Sequence, residues 1–170
     1  MVEVCGSENT RPRLVFECLQ FWERDSSRRE ISRKHIGSHY LLLESVWRCD
    51  TSRVYLQKLA EEVVKYDNEV SKQEASGRGV SRRLPDFVVA CYCRAGEKRS
   101  VAMAVIVYHY LLAYGWSGEF QHLCDVYWRR LTCKGLCDDC KNYMSPEFAG
   151  RSTAIVQANR YFAQHAFWRQ

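Results

Sequence analysis

The sequence predicts an α/β fold: one domain with a mixed, largely parallel sheet flanked by helices, a small cysteine-rich segment, and a C-terminal helix. Three observations predict it. Asp86–Tyr92 (DFVVACY) is a short apolar run with β-branched residues, bounded upstream by Pro85, which is the pattern of a buried strand. Val101–Tyr114 is apolar all round, too long for a strand, and followed by Gly115, so it reads as a buried helix with a glycine C-cap. A tight turn, Cys93–Ser100 (CRAGEKRS), joins the two, and a strand feeding a helix in this way is the unit from which α/β layers are built.

The other elements follow in chain order. Residues 1–12 read as a loose start. Leu14–Trp22 (LVFECLQFW) reads as a strand, with Glu17 facing either the cations of the turn or water at a sheet edge. Glu23–Gly37 is a charged, basic segment holding Arg28, Arg29, Arg33, Lys34 and His35. It is either a solvated face or an arm that closes over an anion. His39–Trp47 is a short helix or a strand; periodicity does not decide. Asp50 or Thr51 caps a helix from Ser52 to about Ser71, with Leu56, Leu59, Val63 and Tyr66 on its core face. Ser71–Pro85 is a polar connection rich in Gly, Ser and Arg. Phe120–Tyr127 reads as a strand, which a right-handed crossover would set parallel to Asp86–Tyr92. The expected organisation is thus an α/β domain over 13–128, a cysteine knuckle over 129–144, and a tail over 145–170. The tail's helix, Ser152–Phe167, docks on its own domain or on a second copy.

Composition narrows the function. Hydrophobic residues make up 46% of the 170, so the chain can bury a core without covalent staples. The net charge of +5 favours anionic partners without requiring nucleic acid. The cysteine count is nine, an odd number, and MVEVCGSENT has neither a basic start nor an apolar core. Reduced thiols in the cytoplasm or nucleus are therefore expected, some of them on a metal. The longest apolar stretch contains His109 and is too short to span a bilayer, so no membrane association is expected.

Chemistry concentrates at Cys93–Ser100. A helix N-terminus presents unpaired N–H groups and the positive end of the helix dipole, which suits an anion. Gly96 permits close backbone approach, Lys98 and Arg99 add charge, and Ser100 supplies a hydroxyl. Arg33 and His35 are candidate second-line contacts. Cys93 and Arg99 also stand at the C-x5-R-[ST] spacing of cysteine-dependent phosphatases, where such N–H groups hold the substrate phosphate and lower the thiol pKa. Under that alternative Cys93, Arg99 and Asp50 are the catalytic set, Asp50 serving as general acid. No Walker-type GxxxxGK[ST] loop occurs, so no nucleotide cofactor is expected. A second cluster, Cys133, Cys137 and Cys140 in LTCKGLCDDCK, with Cys124 or His122 shortly before, suits a tetrahedral structural zinc ion.

Taken together, residues 13–128 resemble the C-terminal domain of the RNase adapter RapZ family. The resemblance runs through Val15-Phe16-Glu17, where that family has V-F-D, and Arg33-Lys34-His35-Ile36-Gly37, where it has R-x-x-T-G. It continues through the helix Val54–Tyr66 and through Cys93-Arg94-Ala95-Gly96-Glu97-Lys98-Arg99-Ser100-Val101, where the family has C-x-G-G-x-H-R-S-V. It closes on Gln121-His122-Leu123. The resemblance implies a non-catalytic, phosphate-sensing regulatory domain that binds a phosphosugar-like metabolite or RNA and self-associates. Lys98, Ala95 and Leu19 depart from the family's histidine, glycine and arginine. A rival resemblance is to dual-specificity phosphatases, which share Cys-x5-Arg-Ser after a strand but usually have histidine where Tyr92 stands.

Overall fold

The computed structural model describes residues 2–5, 12–21, 26–76, 86–123, 125, 128 and 130–165. Its elements in order are β1 (Val2–Cys5), β2 (Leu14–Glu17), α1 (Ser26–Lys34), α2 (Tyr40–Trp47), α3 (Asp50–Ala75), β3 (Val89–Tyr92), α4 (Arg99–Ala113), β4 (Gln121–His122), α5 (Pro146–Arg151) and α6 (Thr153–His165). The fold is mixed α/β: a small four-stranded sheet in the order β2-β3-β1-β4, with helices and a cysteine cluster.

The sheet departs from the largely parallel arrangement expected of the sequence. Among the described strands only β2 and β3 pair in parallel, with Leu14 opposite Val89 and Glu17 opposite Tyr92. β1 pairs antiparallel with β3 on one side and with β4 on the other. The segment taken for a loose start therefore contributes the strand that fills the space between β3 and β4. VEVC alternates apolar and polar residues, the strand period, but over too few residues to stand out. Among the described residues of Phe120–Tyr127 the strand is Gln121–His122, at the sheet edge and separated from β3 by β1.

The helices follow local chemistry. α4 is buried along nearly its whole length, Ser100 to Val107 and again at His109 and Tyr110, which is why it carries no polar face. It ends at Gly115, whose φ of +86° is the left-handed conformation of a glycine C-cap. α3 begins at Asp50, slightly earlier than expected, and buries Leu56, Leu59 and Val63. His39 caps α2: its Nδ1 accepts the Leu41 N–H at 3.2 Å, which settles the His39–Trp47 ambiguity as helix. Part of the charged segment read as either a solvated face or an arm is α1, steadied at its end by Lys34–Glu30 at 2.6 Å, four residues apart. α6 packs on α2 and α4 of its own chain, and Ala154, Ile155 and Ala158 join the core formed by Phe16, Leu43 and Ile106. None of the described helices is long and apolar enough to cross a membrane.

Candidate functional site

The stretch between the end of β3 and the start of α4 wraps around the Cys93 sulfur. Cys93 is 2% exposed, and its Sγ lies 3.2 Å from Ser100 Oγ. Burial alone pushes a thiol pKa up. Here the Ser100 hydroxyl and the backbone N–H groups of Ser100, Gly96 and Ala95 all bond to the sulfur, and together they bring it below its ordinary value. Gly96 makes the turn possible, with φ at +62°, and its carbonyl accepts the Trp128 indole N–H at 2.8 Å. The predicted residues Gly96 and Ser100 thus meet at Cys93, and the loop favours negative charge at that point.

The cations are placed less directly. Arg99 Nη1 donates to the Leu19 carbonyl at 2.6 Å, which ties the start of α4 to the turn after β2. Lys98 reaches away from the sulfur: its Nζ donates to the His35 carbonyl and lies 3.5 Å from the buried Glu97 carboxylate. A cavity of about 450 Å³ opens here; its charged lining is Arg94, Lys98 and Arg99 with one acid, Glu97, and Cys93 and apolar Phe21, Leu42 and Val46 complete the wall. A larger one, about 650 Å³, lies by Tyr66, Phe87 and Trp116, but its charged lining is Asp67, Asp86 and Glu119, the wrong sign for an anion. Arg33 is exposed at the end of α1 and does not line the Cys93 cavity. Nor does Asp50, whose side chain is 93% exposed and pairs with Arg53 at 3.2 Å. Glu17 is exposed and its carboxylate accepts the Tyr92 hydroxyl at 2.9 Å, which leaves it on the outer strand of the sheet rather than against the loop.

The three expected cysteines come together, and the described residues bring one donor from outside the expected set to them. Cys133, Cys137 and Cys140 converge, and the fourth donor is His35 from the end of α1. Its Nδ1 lies 3.3 Å from Cys137 Sγ and 3.6 Å from Cys140 Sγ, and the four donor atoms all lie within 4.8 Å of one another. A tetrahedral zinc ion with ordinary bond lengths sets its donors about 3.6–3.8 Å apart, so these residues fit one. Cys124 lies outside the described residues, and His122 instead meets the Tyr143 hydroxyl at 2.6 Å. His35 thus stands in the cysteine cluster and does not line the Cys93 cavity. No spacing rule links it to thiols about a hundred positions away.

The local chemistry suits metal ligation. Lys134 and Gly135 take consecutive left-handed conformations, φ 51° and 83°, which turn the chain sharply between Cys133 and Cys137. Burial raises the Cys133 thiol, but N–H groups from Gly135 and Ile36, with the Cys137 and Cys140 thiols, together outweigh it and hold it below its ordinary value. Burial and two neighbouring thiols push Cys140 up. Burial, opposed by Asp139 and helped by Lys98 and Lys34, keeps His35 below the usual histidine range, so its ring nitrogen is an available lone pair.

The two clusters share residues 35–38. The Gly37 N–H donates to the Glu97 carbonyl at 3.0 Å, and Lys98 donates to the His35 carbonyl. From the other side, the Cys133 N–H donates to the Lys34 carbonyl at 2.8 Å and Ser38 Oγ to the Cys140 carbonyl at 3.1 Å. No family model matches this chain, and no curated protein or solved structure matches it either.

Proposed function

We infer that the chain is a non-catalytic, oxyanion-binding regulatory module whose Cys93–Ser100 loop holds the phosphate of a phosphorylated metabolite or RNA. One observation carries this reading: the N–H groups of Ala95, Gly96 and Ser100 and the Ser100 hydroxyl converge on the buried Cys93 sulfur, which favours negative charge there, beside a cavity whose charged lining is Arg94, Lys98 and Arg99 against one acid, Glu97. The resemblance to RapZ C-terminal domains supports it and brings self-association with it. The cysteine–histidine cluster is taken as a structural zinc centre, and the reduced thiols as those of a cytoplasmic or nuclear protein. A second reading, a C-x5-R phosphatase, is favoured by the lowered Cys93 thiol. Among the described residues Asp50 does not serve as its acid, being exposed to solvent, and the acid that lines the Cys93 cavity is Glu97, 1% exposed and 3.5 Å from Lys98.

Inorganic phosphate and p-nitrophenyl phosphate separate the readings. At phosphate about a hundredfold above its dissociation constant, the binder gains about 2.7 kcal/mol. That raises the melting temperature by roughly 5–10 °C for a chain of this size, with no p-nitrophenol released. Turnover that disappears in Cys93→Ser would establish the phosphatase instead. If RNA is the ligand, its affinity falls steeply with added salt; a flat salt dependence leaves the small phosphorylated metabolite.

A further inference from the structure

Residues 35–38 belong to two sites at once. On one side His35 stands among Cys133, Cys137 and Cys140 at metal-ligand spacing. On the other, the same four residues are fastened to the middle of the anion loop, through Gly37 N–H to the Glu97 carbonyl and through Lys98 to the His35 carbonyl. Those two loop residues, Glu97 and Lys98, lie between the N–H groups that meet Cys93: Ala95 and Gly96 come before them, Ser100 after. A shift of the His35–Gly37 backbone therefore turns the peptide units whose neighbours form the anion cradle.

The fit leaves no slack. A side-chain carbon on Gly37 would fall 2.6 Å from the Ala102 nitrogen, 2.8 Å from Val101 Cβ, and closer still to the Lys98 carbonyl oxygen. Ser38 is fully buried and reaches the Cys140 carbonyl, so the cysteine turn and the anion loop grip opposite sides of one short segment. Packed interiors transmit such displacements because they have little free volume in which to absorb them.

We propose that metal held by His35, Cys133, Cys137 and Cys140 sets the shape of the Cys93–Ser100 loop, so that metal occupancy governs oxyanion binding. The proposal rests on the oxyanion-binding reading given above. Its physical content is a coupling between two binding equilibria, and such coupling is reciprocal. Zinc tightens phosphate binding, and phosphate tightens zinc binding by the same factor, about tenfold within the usual range of such couplings.

The test uses the full wild-type chain. Phosphate affinity is measured on zinc-loaded and chelator-stripped protein, and zinc affinity is measured against a chromophoric chelator with and without saturating phosphate. Both ratios should come out near tenfold. Cobalt-loaded protein, folded throughout, gives a reading that does not depend on the stability of the stripped form: its absorption bands should shift when phosphate saturates. Ser38→Ala keeps all four donors and cuts the tie to Cys140, so it should bind zinc yet show a smaller coupling factor. Cys49→Ser, a cysteine outside the cluster, should behave as wild type. Unchanged cobalt bands with phosphate demonstrably bound would overturn the coupling alone, as would zinc affinity indifferent to phosphate. Loaded protein that binds no phosphate would take the oxyanion reading down with it.

Discussion

Gly37→Ala is expected to cost at least about 4 kcal/mol of folding stability, the range reserved for substitutions that force a packed interior apart. The cause is space, not backbone conformation, since Gly37 is not among the residues in the left-handed region. The added methyl meets the Lys98 carbonyl and the Ala102 nitrogen, both of them main chain at the start of α4, and Val101 behind them. A flexible side chain would step aside; a helix start fixed by its own hydrogen bonds does not. Ordinary overpacking costs about 1–3 kcal/mol because neighbours relax, and here the neighbours are the loop that surrounds Cys93. Urea unfolding of the variant beside wild type measures the difference. Gly118→Ala is the control, because nothing lies within 4 Å of a side-chain carbon there. A Gly37→Ala protein that unfolds within about 1 kcal/mol of wild type would show that residues 35–38 do not press on α4 as described.

Removal of the metal is the second large effect. One zinc per chain is expected in protein purified without chelator. Excess chelator should then lower the melting temperature by roughly 10 °C or more, which for a chain of this size corresponds to a loss of about 4 kcal/mol. Structural zinc contributes more than this in small domains that are unfolded without it. Here Cys140 and Phe148 also belong to a hydrophobic core shared with α4 and α6, so part of the structure outlasts the metal. The variants identify the fourth donor. His35→Ala should lose zinc, whereas Cys124→Ser should keep it. The reverse result would put Cys124 in the cluster and leave His35 outside. A melting temperature indifferent to chelator, with no zinc found by elemental analysis, would make the cluster three thiols and an imidazole without a metal.

What could be read in advance was local. The turn at Cys93 was legible because a strand, a glycine and an Arg-Ser pair stand within a dozen residues, and each one's role depends on its immediate neighbours. α4 was legible because a helix buried on every side has no polar stripe to conceal it. The failures were matters of distance along the chain. Nothing near Val2–Cys5 says that its partners lie at Val89–Tyr92 and Gln121–His122. Nothing near His35 points to cysteines a hundred positions on. Lys98 was correctly seen as a cation beside the helix start, but a flexible side chain takes whatever acceptor lies within reach, and here that is the His35 carbonyl. In Glu23–Gly37 the density of charge left a solvated face and an arm both open, although charged residues spaced four apart along a helix stabilise it.

The antiparallel placement of β1 carries a practical consequence for anyone who shortens or tags this chain. Trimming the first five residues would strip β3 of one of its two hydrogen-bonded neighbours and β4 of its described neighbour. The bared main chain of β3 would then invite pairing with other molecules, the usual origin of strand-mediated aggregation. Such a truncation should show concentration-dependent light scattering where the intact protein shows none.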